Sequence, residues 1–228
     1  MSKWIDFTID ERKAMIQAVS DEKQIDEASA EKDWWVTAVL YVIFHTCIGE
    51  YLLFKGGTSL SKGWNIINRF SEDIDLALSR DFFLNVKNLA CANCTSNTQI
   101  HHLREKAFLL CEEYQKAEPR THRMTRHFYD LEKLMQTPYA EVALNDVALY
   151  EDIVNHRRKF YHVGYVDYDK ELPQSIQIVP SDALLPSYEA DYNEMRGSFI
   201  YGESLDFSAL MKRMAELQER FRKISNEL

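Results

Sequence analysis

The chain has 228 residues and a mass of 26.8 kDa, which at about 150 residues per domain leaves room for one large domain or two small ones. Apolar residues make up 46% and charged residues 28%, with only 7 glycines and 5 prolines, so collagen-like and low-complexity disordered classes are excluded and a globular, helix-rich protein is expected. With 27 Lys and Arg against 36 Asp and Glu the net charge is −9, so a polynucleotide could be met only by a local basic patch.

Thr8 and Glu11 form a T-x-x-E capping box ahead of Met15, Ile16 and Val19, which predicts a first helix from about Ile9. From about Ala28 to Cys47 the residues Trp35, Val39, Val42, Ile43 and Thr46 recur at helical spacing and predict a longer, largely buried helix with its aromatics in the core. The apolar stretch inside it, Trp34 to Phe44, is 11 residues long and interrupted by Thr37. A membrane-spanning helix needs about 20 such residues. The opening MSKWIDFTIDERK also lacks the unbroken apolar core of a secretory signal, so a cytoplasmic protein with no membrane partner is expected.

Tyr51 to Phe54 and Ile74 to Leu78 are short apolar runs that read as strands, and Ser59 to Ile67 between them reads as a helical turn or two. Residues 82–99 lack periodicity and are rich in Asn, Thr and Ser, so they read as a loop and as the internal boundary between 1–99 and 100–228. Beyond it, helices are predicted over 103–115, 125–135, 142–161, 183–195 and 207–224. The last carries the stripe Phe207, Leu210, Met211, Met214, Leu217, Phe221 and Ile224. Four cysteines, Cys47, Cys91, Cys94 and Cys111, are too few for a disulfide scaffold; the C-x2-C of Cys91 and Cys94 before His101 and His102 reads as reduced thiols, with a zinc knuckle as the alternative.

The chemistry concentrates in FKGGTSLSKGWNIINRFSEDIDLAL, residues 54–78. On a strand Asp73 and Asp75 would share one side while Ile74 and Leu76 take the other. Two carboxylates so close repel unless a cation lies between them, and hard oxygen ligands suit Mg²⁺. Gly56 and Gly57 at the end of the preceding strand allow positive φ and close approach of a phosphate, with the hydroxyls of Thr58 and Ser59 beside them. Lys55, Lys62 and Arg69 lie near enough in sequence to meet negative oxygens. The pattern does not fit G-x4-G-K-[ST], so it is not a Walker A loop.

Together these residues resemble the hG[GS]-x(n)-Dh[DE]h signature of the polymerase β-like nucleotidyltransferase superfamily. FKGGTSLSKGW with RFSEDIDLAL is similar, more specifically, to the AbiEii/AbiGii toxin family of nucleotidyltransferases, the toxin half of AbiE-type toxin–antitoxin and phage-defence systems. Later pieces follow in the same order: Glu105-Lys106, then RHFYDLEKL with Arg126, His127, Asp130 and Leu131, then DYNEM at 191–195. The resemblance covers residues 1–80 and 100–228, approximately.

The resemblance implies an α+β fold, with a small mixed sheet of nucleotidyltransferase type, flanking helices, and a helical C-terminal region closing a cleft. It implies transfer of a nucleotide from an NTP onto an acceptor, for which some relatives use tRNA 3′ ends, and a cognate antitoxin protein as partner. By the same resemblance Asp73 and Asp75 would be catalytic and bind Mg²⁺. Gly57 and Ser59 would hold the triphosphate, and Gly56, Thr58, Lys62 and Arg69, read from the residues themselves, complete the expected nucleotide-binding set. Lys106 would contact phosphate, Asp130 would face the cleft, and Arg126 and His127 would be candidate acceptor contacts. On the residues alone the alternative reading of Lys106 is a solvated helix residue, and that of Asp130 a surface carboxylate paired with Arg126 four residues earlier. The superfamily's usual third carboxylate has no clear counterpart: Asp81 follows the D-x-D too closely, so either another acid such as Asp130 completes the site or part of the sheet is missing. The alternative function is a catalytically impaired relative that binds nucleotide, RNA or a protein. The clusters His122-Arg123, Arg126-His127 and His156-Arg157-Arg158-Lys159 fit an RNA backbone or a solvated helix face.

Overall fold

The structure, a computed structural model, describes Trp4, residues 6–79, Phe82, residues 98–161 and residues 163–224. The fold is α+β and mostly helical, and the chain divides into two compact units, Met1–Ser96 with Arg196–Glu203 and Asn97–Met195 with Ser204–Leu228. Cys91, Cys94, Asp81 and the segment expected to be a loop fall almost entirely outside the described residues. Among the described residues no helix is long and apolar enough to cross a membrane.

In the first unit, helix α1 (Ile9–Lys23) begins where the capping box places it. Glu11 N donates to Thr8 Oγ1 at 3.3 Å and Thr8 N to Glu11 Oε2 at 2.8 Å, so two otherwise orphaned donors are satisfied reciprocally. Helix α2 (Glu27–Phe44) starts at Asp26, whose carboxylate accepts Ser29 N at 2.9 Å. Contrary to the expectation of a largely buried helix, Trp35, Val39, Tyr41 and Val42 are 51%, 42%, 49% and 61% exposed, and only Ser29, Ala30 and Val36 are buried. From Trp34 to Phe44 the helix is apolar nearly all round, so this stretch does not mark which face is covered.

Strand β1 (Leu52–Lys55) pairs antiparallel with β2 (Asp75–Leu78) in the register Leu52↔Leu78, Leu53↔Ala77, Phe54↔Leu76 and Lys55↔Asp75. Among the described residues this two-stranded ladder is the sheet, antiparallel where a mixed sheet was expected. β1 begins one residue later than its apolar run because Tyr51 closes the 3-10 turn Gly49–Tyr51. β2 also begins one residue late, at Asp75. The carbonyl of Asp73 accepts the Thr58 hydroxyl, which ties it to the bend instead of a ladder.

The second unit is helical: α3 (Thr98–Glu113), α4 (Thr125–Met135), α5 (Pro138–Asn145), α6 (Val147–Phe160), α7 (Leu185–Ser198, its last residues in the first unit) and α8 (Phe207–Ile224). The single helix predicted over 142–161 is broken at Asp146. Arg104 of α3 is fully buried and explains the break: its Nε donates to Ala143 O at 2.9 Å and its Nη2 to Asp146 O at 2.7 Å, so a guanidinium caps the carbonyls where α5 stops. Phe207, Leu210, Met214, Leu217 and Phe221 of the α8 stripe are buried with Phe108, Phe128, Leu131 and Tyr188, and Met211 is half-buried. Gln218 of α8 accepts Ile178 N at 2.7 Å and Val179 N at 3.1 Å, which anchors the connection before α7.

Buried charge also organises this unit. Glu113, at the end of α3, receives Arg120 Nη2 at 3.0 Å, Arg120 N at 2.8 Å and Lys116 Nζ at 2.7 Å. Burial raises its carboxyl pKa, and the bonds from Arg120 and Lys116 outweigh that and bring it to about 2. Glu171, in the 3-10 turn Tyr168–Glu171, is fully buried. It shares Arg157 of α6 with Glu112 of α3, at 3.4 Å from Arg157 Nε to Glu171 Oε2. Its own carbonyl accepts the Tyr150 hydroxyl, and Cys111 donates to the neighbouring Lys170 carbonyl at 3.2 Å.

One guanidinium faces two carboxylates here. Burial, with the Glu112 charge alongside, pushes the Glu171 carboxyl up from 4.5 to about 8. Between those two values the folded chain holds a proton that the unfolded chain has released, so this group's contribution to stability falls as pH rises through that window. Glu171→Gln, neutral throughout, should remove that slope. Urea midpoints should show the variant gaining on the wild type between pH 5.5 and 8.5; a constant difference at both pH values would contradict this.

Candidate nucleotide and metal site

The bend after β1 is built around two glycines. Lys55 and Asp75 face each other across the ladder, and the next residue, Gly56, has φ +73°, a left-handed conformation that side chains disfavour. A Cβ on Gly56 would sit 1.8 Å from Asp75 Oδ2 and 2.7 Å from its Cγ, so the Asp75 carboxylate rests directly on the glycine backbone. A Cβ on Gly57 would sit 2.6 Å from Arg69 Nη2 and 3.1 Å from Ser71 Oγ, so the guanidinium covers the second glycine. Arg69 is 5% exposed and its Nη1 donates to Phe70 O at 3.0 Å.

The bend continues as a short helix, Gly56–Thr58, and a π-helical turn, Ser59–Gly63. Thr58 and Ser59 are buried, with their hydroxyls donating to backbone carbonyls: Thr58 to Asp73 O, and Ser59 to Phe54 O at 2.9 Å. Both side chains therefore clamp the bend to the chain on either side of it. Lys62 Nζ lies 2.7 Å from Asp33 Oδ2 of α2. Asp73 stands just before β2 rather than on it, yet exposure alternates as a strand's would: Asp73 and Asp75 are exposed and Ile74 is half-buried.

The donor set suits a hard divalent cation. Magnesium is commonly held by one or two carboxylates, with waters and substrate phosphates completing the octahedron, so an exposed pair of aspartates beside the diglycine bend fits it. Among the described residues no group of three or more His, Cys, Asp and Glu side chains could hold a metal. Cys47 is exposed and Cys111 is buried, each a free thiol; burial pushes the Cys111 thiol up to about 11, a protonated core residue rather than a ligand.

In the second unit, Lys106 Nζ of α3 lies 2.7 Å from Asp130 Oδ2 of α4, with side chains 8% and 0% exposed. Asp130 is thus paired across helices and is not a surface carboxylate, and Lys106 is not a solvated residue. On α4, Arg126 is half-buried and His127 is buried. The basic run at 156–159 does not form one face: Arg157 is buried against Glu112 and Glu171, Arg158 pairs with Asp169 at 2.5 Å, and Lys159 lies 5.3 Å from the Phe160 ring.

Two organising residues escaped the sequence reading. One is Arg104, described above. The other is Asp191 of α7, whose carboxylate accepts Arg123 N at 2.5 Å and Thr125 N at 3.1 Å, and also the Thr125 hydroxyl. It satisfies amides at the start of α4 and so fixes the helix that carries Arg126, His127 and Asp130. DYNEM was visible as a motif, but the capped helix lies more than sixty residues earlier.

Breaking a buried ion pair costs up to about 3–5 kcal/mol. Lys106→Met should therefore lower the urea unfolding free energy by an amount of that order, and Lys106→Met with Asp130→Leu should recover most of it. A single variant as stable as the wild type would show that the Lys106–Asp130 pair does not hold α3 to α4.

No curated protein and no solved structure matches the chain. A family model does, and its span ends before α4, short of Asp130. Residues 39–109, which hold the diglycine bend, Arg69, both aspartates and Lys106, match the family described as Nucleotidyl transferase AbiEii toxin, Type IV TA system.

Proposed function

We propose that this protein is a Mg²⁺-dependent nucleotidyltransferase that moves a nucleotide from an NTP onto an acceptor of the tRNA class. In this reading it is a cytoplasmic toxin of an AbiE-type phage-defence system, countered by a cognate antitoxin. The observation that carries the reading is the contact between the Asp75 carboxylate and the Gly56 backbone, with Asp73 exposed two residues earlier. It sets a hard anionic ligand against the first glycine, with the Arg69 guanidinium over the second to meet the oxygens of a polyphosphate.

The residues divide the work as follows. Asp73 and Asp75 hold the divalent ion. Gly56 and Gly57 let the Asp75 carboxylate and the Arg69 guanidinium lie close against the bend where the triphosphate binds, while Thr58 and Ser59 keep the bend in shape through their carbonyl bonds. Arg69, over Gly57, and Lys62, steadied by Asp33, supply positive charge to the phosphate oxygens. In the second unit, taken by itself, Asp130 holds in a fixed place the ammonium of Lys106, a candidate phosphate contact, and α4 carries Arg126 and His127 as candidate acceptor contacts. A divalent ion bound there would neutralise charge developing on the phosphates and orient them for in-line attack. The protein's own share is positioning and electrostatic stabilisation.

The test is transfer of label from each α-labelled NTP to a total tRNA pool by the full chain with Mg²⁺. Transfer by the wild type should fall at least a hundredfold in Asp73→Asn and in Asp75→Asn, on the order of the loss when a key electrostatic group is removed. Both variants should keep the wild-type circular dichroism. Transfer that survives both substitutions contradicts the reading; no transfer from any NTP, with nucleotide still bound, identifies the impaired relative instead.

A further inference from the structure

Residues 199–202 lie more than a hundred positions after the D-x-D and outside the span that matches the family model, yet they pack in the first unit against the nucleotide bend. Ile200 forms an antiparallel bridge with Arg69. On either side, Phe70 N donates to Phe199 O at 2.8 Å and Tyr201 N donates to Asn68 O at 3.0 Å. The next residue is a glycine because the approach is close: a Cβ on Gly202 would sit 2.7 Å from Asn68 Cβ and 2.9 Å from its Nδ2. The backbone that carries Arg69 is thus held in register by a segment from the far end of the chain.

A second contact reaches the bend itself. Tyr201 OH lies 3.2 Å from Ser61 Oγ, in the π-helical turn directly after the diglycine, and Lys23 Nζ stands 5.9 Å from the Tyr201 ring. Thr58 and Ser59 direct their hydroxyls to backbone carbonyls, whereas the Ser61 hydroxyl meets another hydroxyl, from a half-buried tyrosine. Such a pair can pass a hydrogen bond on to an anionic oxygen, because each hydroxyl both donates and accepts.

We infer that residues 199–202 are a positioning element of the nucleotide site: their main-chain bonds to Asn68 and Phe70 hold Arg69 over Gly57, and the Tyr201 hydroxyl orients Ser61 toward the triphosphate. The inference rests on the reading of the bend as a nucleotide site. Tyr201 and Ser61 act as one unit, so removing either hydroxyl has the effect of removing both.

The experiment is calorimetric binding of each of the four Mg-NTPs to the full chain, as wild type, Tyr201→Phe, Ser61→Ala, Ser61→Thr and the double variant, with thermal midpoints in parallel. Tyr201→Phe and Ser61→Ala should each raise Kd about fivefold, as expected for loss of one modest hydrogen bond. The double variant should raise it no further, Ser61→Thr should bind as the wild type does, and thermal midpoints should stay together. Wild-type affinity in Tyr201→Phe overturns the inference and leaves the nucleotide site standing, as does a fall in midpoint with Kd unchanged. A wild-type chain that binds none of the four removes the nucleotide reading, and the inference with it.

Discussion

The cross-strand pair Lys55↔Asp75 is the constraint on which the rest of the first unit turns. By ending β1 opposite the first residue of β2, it lays the Asp75 carboxylate on the next residue, and only glycine fits there, for two separate reasons: the left-handed φ and the absence of room for a Cβ. A two-stranded ladder is marginal by itself. The Thr58 and Ser59 hydroxyls, the Arg69 guanidinium and the bridge to Ile200 brace it from three directions. Polar contacts hold the bend in place beside buried Leu60, Ile67 and Phe70.

The second unit uses buried charge for the same end. Lys106 with Asp130 joins α3 to α4, Arg104 joins α3 to the end of α5, Arg157 joins α6 to α3 and the turn at Glu171, and Asp191 of α7 caps α4. Apolar area drives the collapse of these helices without direction. The ionic contacts fix which turn faces which, because a helix slid by one turn would bury unpaired charge. Lys106 and Asp130 tie α3 to α4 in their own right, so kinetic effects of their loss are read beside a measurement of stability.

What the sequence made legible is what local chemistry decides. Thr8 with Glu11 located the start of α1, the 3.6-residue stripe located α8, and a diglycine followed by D-x-D pointed to one bend and the strand returning past it. What stayed hidden depends on partners far away in the chain. The break at Asp146 is set by Arg104, the late start of β2 by a hydroxyl fifteen residues before Asp73, and the order of α4 by Asp191. Helix α2 misled because its stretch from Trp34 to Phe44 is apolar on nearly every side and so carries no signal of which side is covered; its Trp35, Val39 and Val42 are exposed. The role of residues 199–202 was invisible for the same reason, since nothing in FIYG announces a partner at Asn68–Phe70.

The central claim is that Asp73 and Asp75 seat a divalent ion against a polyphosphate at the diglycine bend. Manganese is a hard divalent ion that oxygen ligands also suit, and its paramagnetism makes bound and free populations distinguishable. An electron paramagnetic resonance titration of Mn²⁺ into the full chain, with a non-hydrolysable NTP analogue present, measures the claim directly. The account predicts saturable binding that weakens at least tenfold when Asp73→Asn and Asp75→Asn are combined, as expected when both anionic ligands of a hard ion are neutralised. Equal Mn²⁺ affinity in the wild type and that double variant would contradict it.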